Sequence, residues 1–104
     1  MPSFSVRNFF LWASRPDQTM RNLYEERITI WKAESIDEAL RLADGEATAY
    51  ATNGENWLES SQAFELDESV NANGVEVFSL LRESDLEPDD YVRTFFVTGK
   101  ERTQ

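Results

Sequence analysis

Residues 24–51 read YEERITIWKAESIDEALRLADGEATAYA, and this stretch decides the fold. From Leu23 to Ala33 the side chains alternate as on a strand. Tyr24, Glu26, Ile28 and Ile30 share one face, and Leu23, Glu25, Arg27, Thr29 and Trp31 share the other. The β-branched pair Ile28/Ile30 marks the expected core side, which carries Glu26 inward. A buried carboxylate is costly without a partner, and Arg7 and Arg93 are the candidates. Ser35-Ile36-Asp37-Glu38 then forms a capping box, with two acids at the positive end of the helix dipole. Ile36, Ala39, Leu40, Ala43, Ala47, Tyr50 and Ala51 recur at three- and four-residue steps, with Leu40 as the expected anchor. Asn53-Gly54 supplies a left-handed stop, so the pattern predicts one helix over about 36–52.

Outward from this helix every apolar run is short and strand-like. Phe4, Val6, Phe10 and Trp12 alternate with Phe9 and Leu11, until Ser14-Arg15-Pro16-Asp17 breaks the pattern. After the helix, Trp57 to Val70 is ambiguous, and only Phe64 and Leu66, extended to Glu68 and Val70, keep the period of two of an exposed strand. Asn71-Ala72-Asn73-Gly74 is a turn, and Val75 to Arg82 is a strand, which together suggest a hairpin. Ser84 to Asp90 reads as an acidic loop around Pro88, with one helical turn as an alternative, and Tyr91 to Thr98 as a last strand. The expected fold is α+β, one domain over residues 1–104. An antiparallel sheet of four to five strands runs in the order β-β-α-β-β-β, with the helix on one face and a flexible tail at 100–104. A single helix leaves the other sheet face bare, and the apolar residues on both sides of several strands then call for a dimer or docked partner, or for a larger single-domain core.

The composition narrows the chemistry. The 104 residues include neither cysteine nor histidine, so thiol nucleophiles, zinc-thiolate sites and His-dependent triads are excluded. The four glycines stand apart, so no phosphate-cradling loop is formed. Asp85-Leu86-Glu87-Pro88-Asp89-Asp90 lacks the frame of a calcium loop and reads as solvated. Neither a cofactor nor a metal is implied, and with no recognisable catalytic motif the chain is not expected to be an enzyme. The net charge of −10 is concentrated: residues 55–90 carry eleven acids against Arg82 alone. That field repels nucleic acid and anionic membranes and attracts basic partners. The longest N-terminal apolar run, Phe9 to Ala13, is too short for a signal-peptide core or a membrane span, so the cytoplasm is the expected location.

Three segments, Tyr24 to Arg27, Ala33 to Ala39 and Val75 to Phe96, together resemble a small bacterial family described only as domain of unknown function 4288. The likeness rests on the Tyr-Glu-Glu-Arg strand, the Ala-Glu-Ser-x-Asp-Glu-Ala helix start and the acidic closing segment. It implies a compact single-domain protein and transfers no activity.

The leading functional expectation is an acidic protein-binding module, for example an immunity or inhibitor protein that meets a basic partner. Trp57, Glu65, Asp67, Glu68, Asp85, Asp89 and Asp90 are its candidate contacts, combining an aromatic anchor with steering charge. The alternative is a structural homo-oligomer that uses the open sheet face. A third reading is a small ligand-binding domain or enzyme with a pocket between helix and sheet, lined by Tyr24, Glu26 and Tyr50.

Overall fold

A computed structural model describes residues 1–52 and 54–95. The elements are β1 (Ser3–Trp12), β2 (Asn22–Lys32), α1 (Ile36–Tyr50), β3 (Asn56–Glu65), β4 (Asn73–Ser84) and α2 (Pro88–Phe95). The chain is therefore α+β, with a four-stranded antiparallel sheet in the order β3-β1-β2-β4. The expected tail at 100–104 and the end of the expected last strand lie outside the described residues.

The capping box forms much as the sequence suggests. The Ser35 hydroxyl accepts from the Glu38 backbone N–H at 3.1 Å. The Glu38 carboxylate reaches one residue further back than in the usual box, accepting from the Glu34 N–H at 2.7 Å. The helix ends at Tyr50, with Ala51 as its C-cap, before the positive-φ Gly54. Its fully buried residues are Ala39, Ala43 and Ala47, while the expected anchor Leu40 only packs at the margin. Alanine in the contact stripe leaves room for large sheet residues, and Phe4, Val6 and Trp31 fill it.

Two expectations are corrected here. The core-facing side of β2 under α1 is not the Ile28/Ile30 face but the opposite one. Trp31 packs in the α1 core, Glu25 bonds Tyr50, and Arg27 pairs with Glu46 of the helix. The polar residues on that face are tolerated because α1 brings their partners. The suggested β3–β4 hairpin is also absent, because the two strands occupy opposite edges of the sheet. Residues 66–72 run across the sheet end, held where Leu66 N–H donates to Ser3 O and Lys32 N–H donates to Ala72 O. Three inter-strand spacings need about 14 Å, and that segment reaches about 23 Å when extended. The connection is long enough to step over the β1–β2 pair.

The last element is a helix rather than a strand. Pro88 occupies its first turn, where a missing N–H costs nothing, and Asp89 and Asp90 complement the dipole. Tyr91, Val92 and Phe95 then face the sheet, on the side away from α1. Both faces thus carry a helix, and the second core comprises Phe9, Tyr24 and Tyr91 with Leu11, Leu58, Val92 and Phe95 around it.

Gly74 at the start of β4 is needed twice over. Its φ is +78°, and a Cβ there would lie 2.9 Å from the Trp31 ring, itself part of the α1 core. Gly74→Ala is expected to cost about 1–3 kcal/mol, measured as a lower urea midpoint. A neutral result would mean that the β4 start can leave Trp31 without loss.

Candidate functional site

Strand β2 places two glutamates in succession, and its period of two sends them to opposite faces. Each is nearly inaccessible, with 3% exposure for Glu25 and 4% for Glu26. Glu26 points into the α2 layer. Its Oε1 accepts from Arg7 through Nε, at 3.2 Å, and through the second guanidinium nitrogen. Its Oε2 accepts from Arg82 at 2.9 Å and from the Tyr91 hydroxyl at 2.7 Å. Of the two expected arginine partners, Arg7 is present, while Arg93 instead pairs with Asp90 on the helix surface. Tyr91 stacks on Tyr24 with centroids 3.8 Å apart and meets Phe9 edge-on, and the Tyr24 hydroxyl donates to Leu86 O at 2.6 Å.

Glu25 points into the α1 layer and draws on neutral donors. The Trp12 indole N–H lies 3.0 Å from Oε1, and the Tyr50 hydroxyl 2.9 Å from Oε2, which also accepts from Ser79. Beside it the Arg27 guanidinium lies 3.8 Å from the centre of the Tyr50 ring and bridges Glu46 and Glu76. A carboxylate offers about four acceptor positions. The four contacts to Glu26 fill them, and the contacts to Glu25 nearly do. Both groups therefore join secondary-structure layers and leave little capacity for a substrate.

The expected pocket of Tyr24, Glu26 and Tyr50 is not assembled. Tyr24 and Glu26 lie on the α2 side, and Tyr50 lies on the α1 side against Glu25 and Phe10. One shallow groove of about 300 Å³ runs between β3 and α2, lined by Leu58, Ser60, Pro88, Asp89, Val92 and Arg93.

The three tyrosines share an electrostatic consequence. Burial pushes the Tyr24, Tyr50 and Tyr91 hydroxyls above their ordinary value of 10.0, reinforced by Glu25 at Tyr50 and by Glu26 at Tyr91. Above pH 10 the unfolded chain releases phenolic protons that the folded chain retains, so stability falls as pH rises through that window and is unaffected by these groups below it. Each such group contributes up to about 1.4 kcal/mol per pH unit. Tyrosinate absorbance is expected to appear together with loss of circular dichroism, in one transition. Phenolate growing in near pH 10 while the fold persists would contradict these environments.

The candidate docking residues separate into groups. Glu65, at the end of β3, pairs with Phe4 at the start of β1, and the exposed Asp67 and Glu68 follow it. Asp85, Asp89 and Asp90 lie at the other end of the strands, where Asp85 accepts from the Arg21 N–H and Asp90 pairs with Arg93. The sheet therefore has an acidic rim at each end, about 30 Å apart along strands of this length. Trp57 belongs to neither rim; it pairs with Phe10, is half-buried, and its indole N–H is buried without a partner among the described residues.

The sequence reading passed over the most exposed apolar row. Val75, Val77, Phe78 and Leu81 of β4 are 44–57% exposed. Phe78 lies opposite Ile28 on the α2 side, and Leu81 lies opposite Glu25 on the α1 side. The signal was present in VEVFSLLR, which carries apolar residues on both faces and neither lysine nor proline. What it lacked was the position of the strand at the sheet edge.

The fold and this surface define a small α+β protein with saturated buried carboxylates and an exposed apolar edge between acidic rims. No family model, curated protein or solved structure matches the chain. Among the described residues no helix is long and apolar enough to cross a membrane.

Proposed function

We propose that this chain is an acidic protein-binding module that docks on a basic protein, in the manner of an immunity or inhibitor protein. The observation that carries the reading is the apolar β4 row set between two rims of acidic side chains. Desolvating Phe78 and Leu81 supplies affinity, and the rims supply steering and orientation. A net charge of −10 makes basic surfaces the favoured encounter and self-association the disfavoured one. Saturation of Glu25 and Glu26 weighs toward binding rather than acid–base chemistry.

The reading is tested by affinity capture with the purified chain at graded ionic strength, followed by identification of what is retained. Basic proteins released as salt rises are the expected result. Retention of only neutral or acidic proteins, insensitive to salt, would remove the reading. A second reading, a homo-oligomer joined through β4, is favoured by the same exposed row. Light scattering at micromolar concentration separates the two, since a monomer excludes the oligomer.

A further inference from the structure

The way β4 is exposed says more than that it is sticky. Edge strands are normally protected by outward charges, proline or bulges. β3 has such protection, with a register break against Asn8/Phe10 and Glu59 held at a φ of 58° in mid-strand. In β4 the irregularities lie in its first half, opposite Ile28/Thr29 and Ile30/Trp31, so the pairing from Phe78 to Ser84 is regular. Charge does not protect the strand either. Glu76 is bound to Arg27, Arg82 to Glu26, and Glu83 accepts from Thr19 and Met20, the Thr19 N–H at 2.9 Å. All three charged side chains of the strand are thus committed to their own molecule. Beyond β4 no further strand pairs with it among the described residues.

From this geometry we infer that Phe78–Ser84 of β4 accepts an extended segment of a basic partner as a fifth strand. The inference rests on the protein-binding reading and names its mode. Backbone hydrogen bonds to the free edge provide register-independent affinity, and Phe78 and Leu81 receive alternate apolar side chains on the two faces. Charge complementarity selects the occupant. A second copy of this chain would bring another −10 against the same acidic ends, whereas a strand of alternating lysine and apolar residues meets them with opposite sign.

The experiment titrates the full chain with the end-blocked peptide Lys-Val-Lys-Val-Lys-Val-Lys and with its Glu-Val counterpart, at low and raised salt. Amide hydrogen exchange is followed over residues 73–84, with light scattering alongside. The basic peptide is expected to bind one to one and to slow exchange at alternate amides within Phe78–Ser84. Leu81→Lys and Phe78→Lys are each expected to weaken it about tenfold or more by repulsion at the edge. Ala49→Lys, which makes the same charge change on the exposed side of α1, is expected to weaken it by less than about threefold. Binding that leaves β4 exchange unchanged, or that survives both β4 variants, overturns strand addition while the acidic docking reading stands. Equal binding of the Glu-Val peptide, or no binding of either, overturns the basic-partner chemistry as well. A dimer dispersed by Leu81→Lys assigns the edge to a second copy and overturns the proposal.

Discussion

Glu26→Gln is expected to lower the folding free energy by about 3 kcal/mol, at the lower end of what breaking a buried ion pair costs. The shape is kept, so the loss is electrostatic. Arg7 and Arg82 would face a neutral amide that accepts through one oxygen only. Arg7 is largely buried at 15% side-chain exposure, whereas Arg82 at 37% can recover water, which holds the cost to that lower end. The exposed pair Arg21–Glu87 is the internal control, with 64% and 60% side-chain exposure. Glu87→Gln should cost under about 1 kcal/mol. Urea denaturation should show a shifted midpoint with an unchanged slope for Glu26→Gln and almost no shift for Glu87→Gln. Equal shifts would mean that the Glu26 cluster is solvated and does not join the layers. A domain of this size has about 5–15 kcal/mol in total, so the expected loss is a large share.

Tyr91→Ala is the second large effect, at about 3–5 kcal/mol. Tyr91 is the one fully buried residue of α2. It stacks on Tyr24, meets Phe9 and Phe95, and donates to Glu26. A helix as short as α2 has no stability of its own in water, so its order depends on this anchor. The truncation should release residues 88–95 to rapid amide exchange while α1 and the centre of the sheet stay protected. Tyr91→Phe keeps the ring and removes the hydroxyl's bond to Glu26 and the longer one it accepts from Arg82 at 3.3 Å, an expected cost of about 1–2 kcal/mol. Persistent protection of α2 in Tyr91→Ala would show that Val92 and Phe95 suffice to hold it. Because Tyr91 and Glu26 touch, the double variant should cost less than the sum of the singles.

The acidic segment illustrates how far charge alone can be read. Counting along the chain correctly located an acidic stretch in residues 55–90. It could not show that Glu76 and Glu83 are bound internally, nor that Asp67 and Asp85 belong to opposite ends of the sheet. Trp57 looked like a surface anchor because tryptophan near acids resembles a binding patch. Pairing with Phe10 turns it half inward. The helix α2 is a different case, since its start was written locally. Pro88-Asp89-Asp90 is as good an N-terminus as Ser35-Ile36-Asp37-Glu38, and Tyr91 and Phe95 are one helical turn apart. Alternation among Val92, Phe95, Phe96 and Val97 competed with that signal, and short apolar runs fit both periods.

By itself the sequence determined what depends on neighbours along the chain. The Ser35 cap and the alanine stripe specify α1, alternation specifies β1 and β2, and adjacent Glu25 and Glu26 must face opposite ways. Tertiary structure alone decided what depends on contacts between distant residues. It set β3 and β4 on opposite edges, turned Arg27 and Trp31 rather than Ile28 and Ile30 toward α1, and left β4 open. Strand partners and face assignments are chosen by the summed burial and hydrogen bonding of the whole sheet, and no local window contains that sum.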